Sequence, residues 1–252
     1  MTLLRTALLL ALTSALTGSA LATSTHLALW DFNAVGTTSA SGTDLPIGGE
    51  YAAVSSLELV GGTTRTFAAG SPQDDPITDT KNIYRNQTHN NRGYNTTSYA
   101  PQGTGSGTRG VQFNVPTIGK TEIVAKLDMR HSNTASRYVQ FLYTLDRTAT
   151  TPVWLDGPIF EADRGGDQWY LNRTIDVSAL NAGVENNANF AFRVVAVFAP
   201  GTGNYVASTT TSTYATTGTL RYDLVQVTAV PEPASLIALG VGLAGLIARR
   251  RR

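Results

Sequence analysis

Hydrophobic and polar residues alternate with a period of two along much of the chain, the pattern of β-strands that bury one face. In LALWDFNA, Leu27, Leu29 and Asp31 fall on one face and Ala28, Trp30 and Phe32 on the other. Val111, Phe113 and Val115 alternate with Gln112 and Asn114. Ile123, Ala125, Leu127 and Met129 alternate with Glu122, Lys126, Asp128 and Arg130, and Val139, Phe141, Tyr143 and Leu145 repeat the pattern. Phe190, Phe192, Val194 and Ala196 share a face, while Val195 and Val197 make the end of that strand apolar on both sides. In the last such segment Leu220, Tyr222, Leu224 and Gln226 alternate with Arg221, Asp223, Val225 and Val227. Strands of this kind bury their apolar faces by packing as two sheets.

Helical periodicity is absent from the body beyond three turns; residues 177–187 read as one helical turn or a loop. Gly48-Gly49, Gly61-Gly62, Gly165-Gly166 and Pro200-Gly201 punctuate the strands. Residues 74–110, rich in Asn, Thr, Tyr and Gly, and the Thr- and Ser-rich residues 201–218 read as long loops, either mobile or functional. The expectation is one all-β sandwich of jelly-roll type over residues 23–229.

Both ends depart from this alternation. Arg5 precedes an apolar stretch that gives way to small residues ending Ala20-Leu21-Ala22. That order defines a secretory signal peptide over residues 1–22, cut after Ala22 at a site formed with Ala20. At the other end Val230-Pro231-Glu232-Pro233 leads into an apolar run of 15 residues and then Arg249, Arg250, Arg251 and Arg252. As a helix the run is about 22 Å long, short for a hydrocarbon core of about 30 Å. Snorkelling arginines make up the difference and hold that end on the cytoplasmic side as a membrane stop signal.

Composition narrows the function classes. Only 15% of the 252 residues are charged, against roughly 25% in an average soluble domain, so a coiled coil is excluded. The 42% hydrophobic content excludes global disorder. With no cysteine there is no disulfide framework and no thiolate metal site. The net charge of +1 comes from the tail: the body over residues 23–230 holds 14 basic and 17 acidic residues. A nucleic-acid surface is therefore not indicated.

The ending V-P-E-P-A-S, the short apolar segment and the Arg cluster, residues 230–252, resemble the PEP-CTERM sorting signal of Gram-negative bacteria. The resemblance implies recognition by an exosortase, a membrane transpeptidase with a cysteine nucleophile, which would cut near Pro231-Glu232-Pro233. Glu232 and its prolines would then be substrate rather than catalyst. It further implies an inner-membrane-anchored precursor, passed to the cell surface or the extracellular space, in species that make exopolysaccharide and biofilm.

The opening W-D-F, the middle W-Y-L-N-R-T-I-D-V-S, then N-F-A-F-R-V and the closing R-Y-D-L-V-Q-V are similar in pattern to galactose-binding-like and carbohydrate-binding jelly-roll modules. That resemblance implies a structural calcium where first and last strands meet, with carboxylates from Asp31 and Asp223 and a weaker contribution from Asn33. The competing reading is that both carboxylates are solvated or pair with arginines such as Arg221. Trp154, Trp169 and Tyr170 lie near predicted loops and strand ends and could stack on sugar rings; the competing reading is core or edge packing. Of hydrolase, metalloprotease and phosphate-loop motifs none occurs. His26, His89 and His131 show no ligand spacing and read as surface or loop residues. The sequence thus points to a non-catalytic surface or extracellular-matrix protein that binds exopolysaccharide. The alternative is a secreted glycan-active hydrolase, with carboxylates such as Asp74, Asp75, Glu161 and Asp163 forming a pair only if the fold sets two about 5–10 Å apart across a cleft.

Overall fold

A computed structural model describes residues 23–33, 42–73 and 91–232. The expected signal peptide with Ala20 and Ala22, the apolar segment after Pro233 and Arg249 to Arg252 lie outside the described residues, as do Asp74, Asp75 and His89.

Eleven strands form the body: β1 (Thr25–Trp30), β2 (Ser56–Val60), β3 (Thr64–Ala69), β4 (Arg92–Thr97), β5 (Gly110–Asn114), β6 (Lys120–His131), β7 (Tyr138–Thr144), β8 (Leu155–Glu161), β9 (Gln168–Asp176), β10 (Ala191–Val197) and β11 (Leu220–Pro231). One sheet runs β3-β4-β11-β6-β9, with β1 also pairing β11; the other runs β2-β5-β10-β7-β8. Every pairing is antiparallel. The result is the expected all-β sandwich of jelly-roll type. Its core interleaves the inward positions of both sheets. Trp30 meets Phe113 edge-on at 5.2 Å, and Phe192 stacks on Phe113 at 4.9 Å and on Phe141 at 5.1 Å.

The alternation of the last strand holds only in part. Tyr222 is buried, but Leu224 sits at φ 44° in a bulge where the β6–β11 register shifts between Asp223 and Gln226. The extra residue reverses the phase, so Val225, Val227 and Ala229 face the core instead of Leu224 and Gln226. Sequence alternation cannot see a bulge, because either phase of this strand is apolar enough to be inward.

Other differences concern loops. β2 and β3, which short-range alternation did not predict, are edge strands of opposite sheets joined across Gly61-Gly62, and β4 lies inside the region expected to be a loop. Residues 201–218 contain no strand, as expected, but they are pinned rather than free. Tyr205 stacks on Tyr214 at 4.5 Å, Tyr214 Oη donates to the Ala100 carbonyl at 2.7 Å, and Ala207 bridges to Ser136. The expected helical turn is α1 (Val177–Leu180), whose first turn is capped by Asp176 accepting from the Ala179 amide at 2.9 Å. Among the described residues no helix is long and apolar enough to cross a membrane.

The sheet also continues past the domain end expected at residue 229. Val230 pairs with Thr121, Pro231 pairs with Lys120, and the Glu232 amide donates to the Gly119 carbonyl at 3.0 Å.

Candidate functional sites

Asp31 and Asp223, the pair expected at the junction of first and last strands, are both buried there. The bulge at Leu224 positions Asp223: the Leu224 amide donates to Asp223 Oδ1 at 2.7 Å, and the Ser71 amide donates to Oδ2 at 2.6 Å. A third carboxylate joins them. Asp128 stands directly opposite Asp223 in the β6–β11 ladder and is 1% exposed. Ser71 Oγ donates to Asp128 Oδ2 at 2.5 Å, and the Asn172 amide to Oδ1 at 2.7 Å. Neither Asp128 nor Asp223 makes an ion pair among the described residues, so the pairing with Arg221 entertained above is not formed. Burial, then the neighbouring Asp31 and Asp128, push the Asp223 carboxyl well above its ordinary range, against the two amides that favour its charge.

Calcium takes six to eight oxygen ligands. The chemistry of this donor set suits such a hard cation: three carboxylates, with the Asn33 and Asn91 amides and the Ser71 hydroxyl beside them. Among the described residues, however, no three acidic or imidazole groups converge on a metal position. The oxygens of Asp128 and Asp223 are instead occupied by the hydrogen bonds above. Asp128 was not singled out from sequence, since only the register of β6 against β11 sets it opposite Asp223.

The three aromatic candidates are not brought together. Trp154 lies on the outer face of the five-stranded sheet, against Leu142, Val195 and Val197. The Arg193 guanidinium covers its ring at 3.7 Å. Arg193 Nε donates to Gln112 Oε1 at 2.8 Å, Gln112 Nε2 to Asn114 Oδ1 at 2.8 Å, and Asn114 Nδ2 to Glu58 Oε1 at 2.6 Å. A polar row thus crosses this face from β2 to Trp154. Trp169 and Tyr170 sit on β9 of the other sheet, where consecutive residues face opposite ways.

Tyr170 belongs to an open groove of about 370 Å³ between β8 and β9, the strands that end the two sheets on the same side. Glu161 of β8 and Asp163 just after it line the groove together with Tyr170 and Arg173 of β9. The Arg173 guanidinium lies between the Phe160 ring at 4.8 Å and the Tyr170 ring at 4.7 Å, and Arg164 also lies 4.7 Å from Tyr170. Arg173 Nη2 donates to the Glu161 carbonyl at 2.8 Å, while the buried Nε has no hydrogen-bond partner. Desolvation is the largest influence on Arg173 and lowers its pKa to about 10. Glu161 is engaged by Tyr138 Oη at 3.2 Å and Arg137 Nε at 3.4 Å. Neither Trp154 nor Tyr170 therefore presents a bare ring to a sugar: each already carries a guanidinium. What the groove offers a ligand is charge and hydrogen bonding.

His131 corrects the reading of the histidines as surface or loop residues. It is fully buried at the end of β6, edge-on to Tyr170 at 5.6 Å, with Nδ1 bonded to the Ser136 carbonyl at 2.8 Å. Burial, reinforced by Arg173, lowers its pKa to about 3.

Comparison with known proteins agrees with the reading of the C-terminus. Residues 229–252 match the family model of the PEP-CTERM protein-sorting motif. Among curated proteins none matches the chain. Of solved structures, the CBM22-1 xylan-binding domain of Paenibacillus barcinonensis Xyn10C is similar at 11% identity and a TM-score of 0.35, covering 69% of this chain and 86% of that one. The enzymatically active domain of tailspike protein 4 of bacteriophage CBA120 is similar at 11% identity and a TM-score of 0.31, covering 70% of this chain and 19% of that one. The chain is a β-sandwich that ends in a sorting signal. It is an exported protein, sorted to the cell surface by an exosortase.

Proposed function

We propose that this protein is a non-catalytic component of the cell surface or extracellular matrix of a Gram-negative bacterium, and that its sandwich binds exopolysaccharide in the groove between β8 and β9. The observation that carries this reading is the pair of guanidiniums, Arg164 and Arg173, flanking Tyr170 in an open groove. Guanidinium donors recognise carboxylate and other anionic oxygens bidentately, so the favoured ligand is a glycan with acidic sugars. The exposed Glu161 and Asp163, which line the same groove, supply acceptors for sugar hydroxyls. Retention of residues 23–232 on the host's exopolysaccharide tests the proposal. Binding that is saturable and is lost in Arg164→Ala supports it; equal retention of the variant refutes the groove as the site.

We also propose calcium as a structural ion at Asp31 and Asp223, where it would neutralise buried carboxylates and tie the first strand to the last. A second reading rests on Glu161 and Asp163 lining the same groove. In a glycan-active hydrolase two carboxyl groups flank the scissile bond. Here both come from one chain segment, two positions apart, rather than from two elements facing across a cleft, which favours binding over hydrolysis. Release of reducing ends from the bound polysaccharide, abolished in Glu161→Gln, would establish the hydrolase instead.

A further inference from the structure

The sorting signal and the sandwich share residues. The matched motif starts at Ala229, yet Ala229 is fully buried in β11 and pairs with Thr25 of β1. Val230 and Pro231 are still in the ladder with β6, opposite Thr121 and Lys120, and Thr121 Oγ1 donates to the Val230 carbonyl at 3.4 Å. The Glu232 amide closes the strand on Gly119 at 3.0 Å. The partner strand is itself held at this end: Lys120 Nζ lies 2.6 Å from Glu50 Oε2, and Tyr51 Oη donates to the Ile118 carbonyl at 2.6 Å.

A transpeptidase must bring its nucleophile to within about 3–3.5 Å of the scissile carbonyl carbon, along a line out of the peptide plane. Residues 229–231 are held by the sheet and do not meet that condition without first leaving it. Peeling them away would expose the buried Ala229 and break the pairing of β11 with both β1 and β6.

We infer that the sorting enzyme cuts on the C-terminal side of Glu232, and that the mature protein keeps β11 whole. The cut breaks one peptide bond. Its carbonyl passes to water or to an acceptor amine, and the released segment leaves with the amine of its own first residue. The proline-bracketed Glu232, whose amide closes the strand on Gly119, then adjoins the processed segment, and domain and signal share residues 229–232.

The test is the mass of the mature C-terminus, read from the full chain expressed in a host that carries the sorting enzyme. A C-terminal residue at Glu232 or beyond is the expected result; one before Glu232 overturns the inference. A cross-strand staple gives a second readout. Thr121→Cys with Val230→Cys introduces the chain's only two cysteines at paired positions. In molecules whose mass shows the disulfide formed, processing should continue at the wild-type rate. A tenfold or greater slowing, relieved by reductant, would show that the strand must open and would overturn the inference.

Discussion

Asp128 and Asp223 stand directly opposite each other on neighbouring strands, both withdrawn from water. Like charges in that position destabilise a sheet. The arrangement persists because every oxygen of the pair accepts a hydrogen bond and because Asp223 holds its proton more tightly than a free carboxyl. Ser71 serves both residues, its amide bonded to one and its hydroxyl to the other.

Ser71→Ala keeps the amide but removes the hydroxyl. The variant should lose about 1.5–3 kcal/mol of unfolding free energy, the worth of a hydrogen bond to a charged group, measured by denaturant titration in chelator. A loss within 0.5 kcal/mol, taken as roughly the limit for an uninvolved surface position, would show that the hydroxyl does not support the pair.

Calcium at Asp31 and Asp223 favours the ionised form of Asp223, whose carboxyl is raised well above its ordinary range. Calorimetric titration in two buffers of different ionisation heat should then report proton release, and saturation at about 100 times Kd should stabilise the domain by about 2.7 kcal/mol. Heat independent of buffer, or melting unaffected by calcium, would rule out the metal. The sign without metal is opposite: a raised carboxyl pKa gives a contribution that is full below the ordinary value of 3.8 and is lost as pH rises above it.

His131 works the other way. Its pKa falls from 6.5 to about 3 on folding, so the unfolded chain takes up the proton first. The stability it contributes is full above pH 6.5 and is lost as pH falls toward 3, by an amount on the order of a few kcal/mol. Arg173 and Tyr170 face it from β9 and keep their charge states across that range. In chelator, the wild-type stability slope between pH 4 and 6.5 sets Asp223 against His131 and His26, whose pKa burial also lowers. His131→Phe should shift the slope toward stability falling with rising pH. An unchanged slope would mean that the imidazole does not titrate on unfolding as stated.

Trp154 and Arg164 separate packing from binding. Trp154→Ala removes a ring packed on Leu142, Val195 and Val197 and stacked by Arg193. It should cost about 2–4 kcal/mol and leave glycan retention intact at a temperature where the variant is folded. Arg164→Ala, at an exposed position, should do the reverse. Retention lost in Trp154→Ala and kept in Arg164→Ala would move the binding site to the outer face of the five-stranded sheet.

Gly110 marks a close backbone approach. A Cβ there would lie 2.8 Å from the Val195 Cα and strike the Val194 carbonyl. Because the obstacle is main chain in the centre of a sheet, Gly110→Ala should destabilise by about 1–3 kcal/mol, measured by thermal melting. A neutral substitution would mean that β5 and β10 sit farther apart than described.

Sequence alternation located six of the strands because each buries a single face. It missed β2, β3, β4 and β8: β2 is a five-residue edge strand, β3 and β4 carry polar or small residues on both faces, and Gly157-Pro158 interrupts β8, while β9 entered only through the jelly-roll resemblance. The jelly-roll resemblance, not the alternation, placed Asp31 and Asp223 together, because it makes the first and last strands neighbours. Asp128 and Ser71 escaped because nothing local distinguishes an outward carboxylate in the solvent from one under a loop. The aromatic candidates were legible as residues but not in their role: whether a ring is bare or covered by a guanidinium depends on cross-strand and inter-sheet neighbours. The sorting signal was legible in full because it is read as a linear segment, and only its overlap with β11 needed the fold.

The most direct test of the account is equilibrium binding of residues 23–232 to the host's exopolysaccharide, beside its carboxyl-reduced form and a neutral glucan. The account predicts saturable binding to the native polymer, loss on carboxyl reduction and loss in Arg164→Ala. Equal binding to the neutral glucan, or no binding to the native polymer with or without calcium, would contradict it.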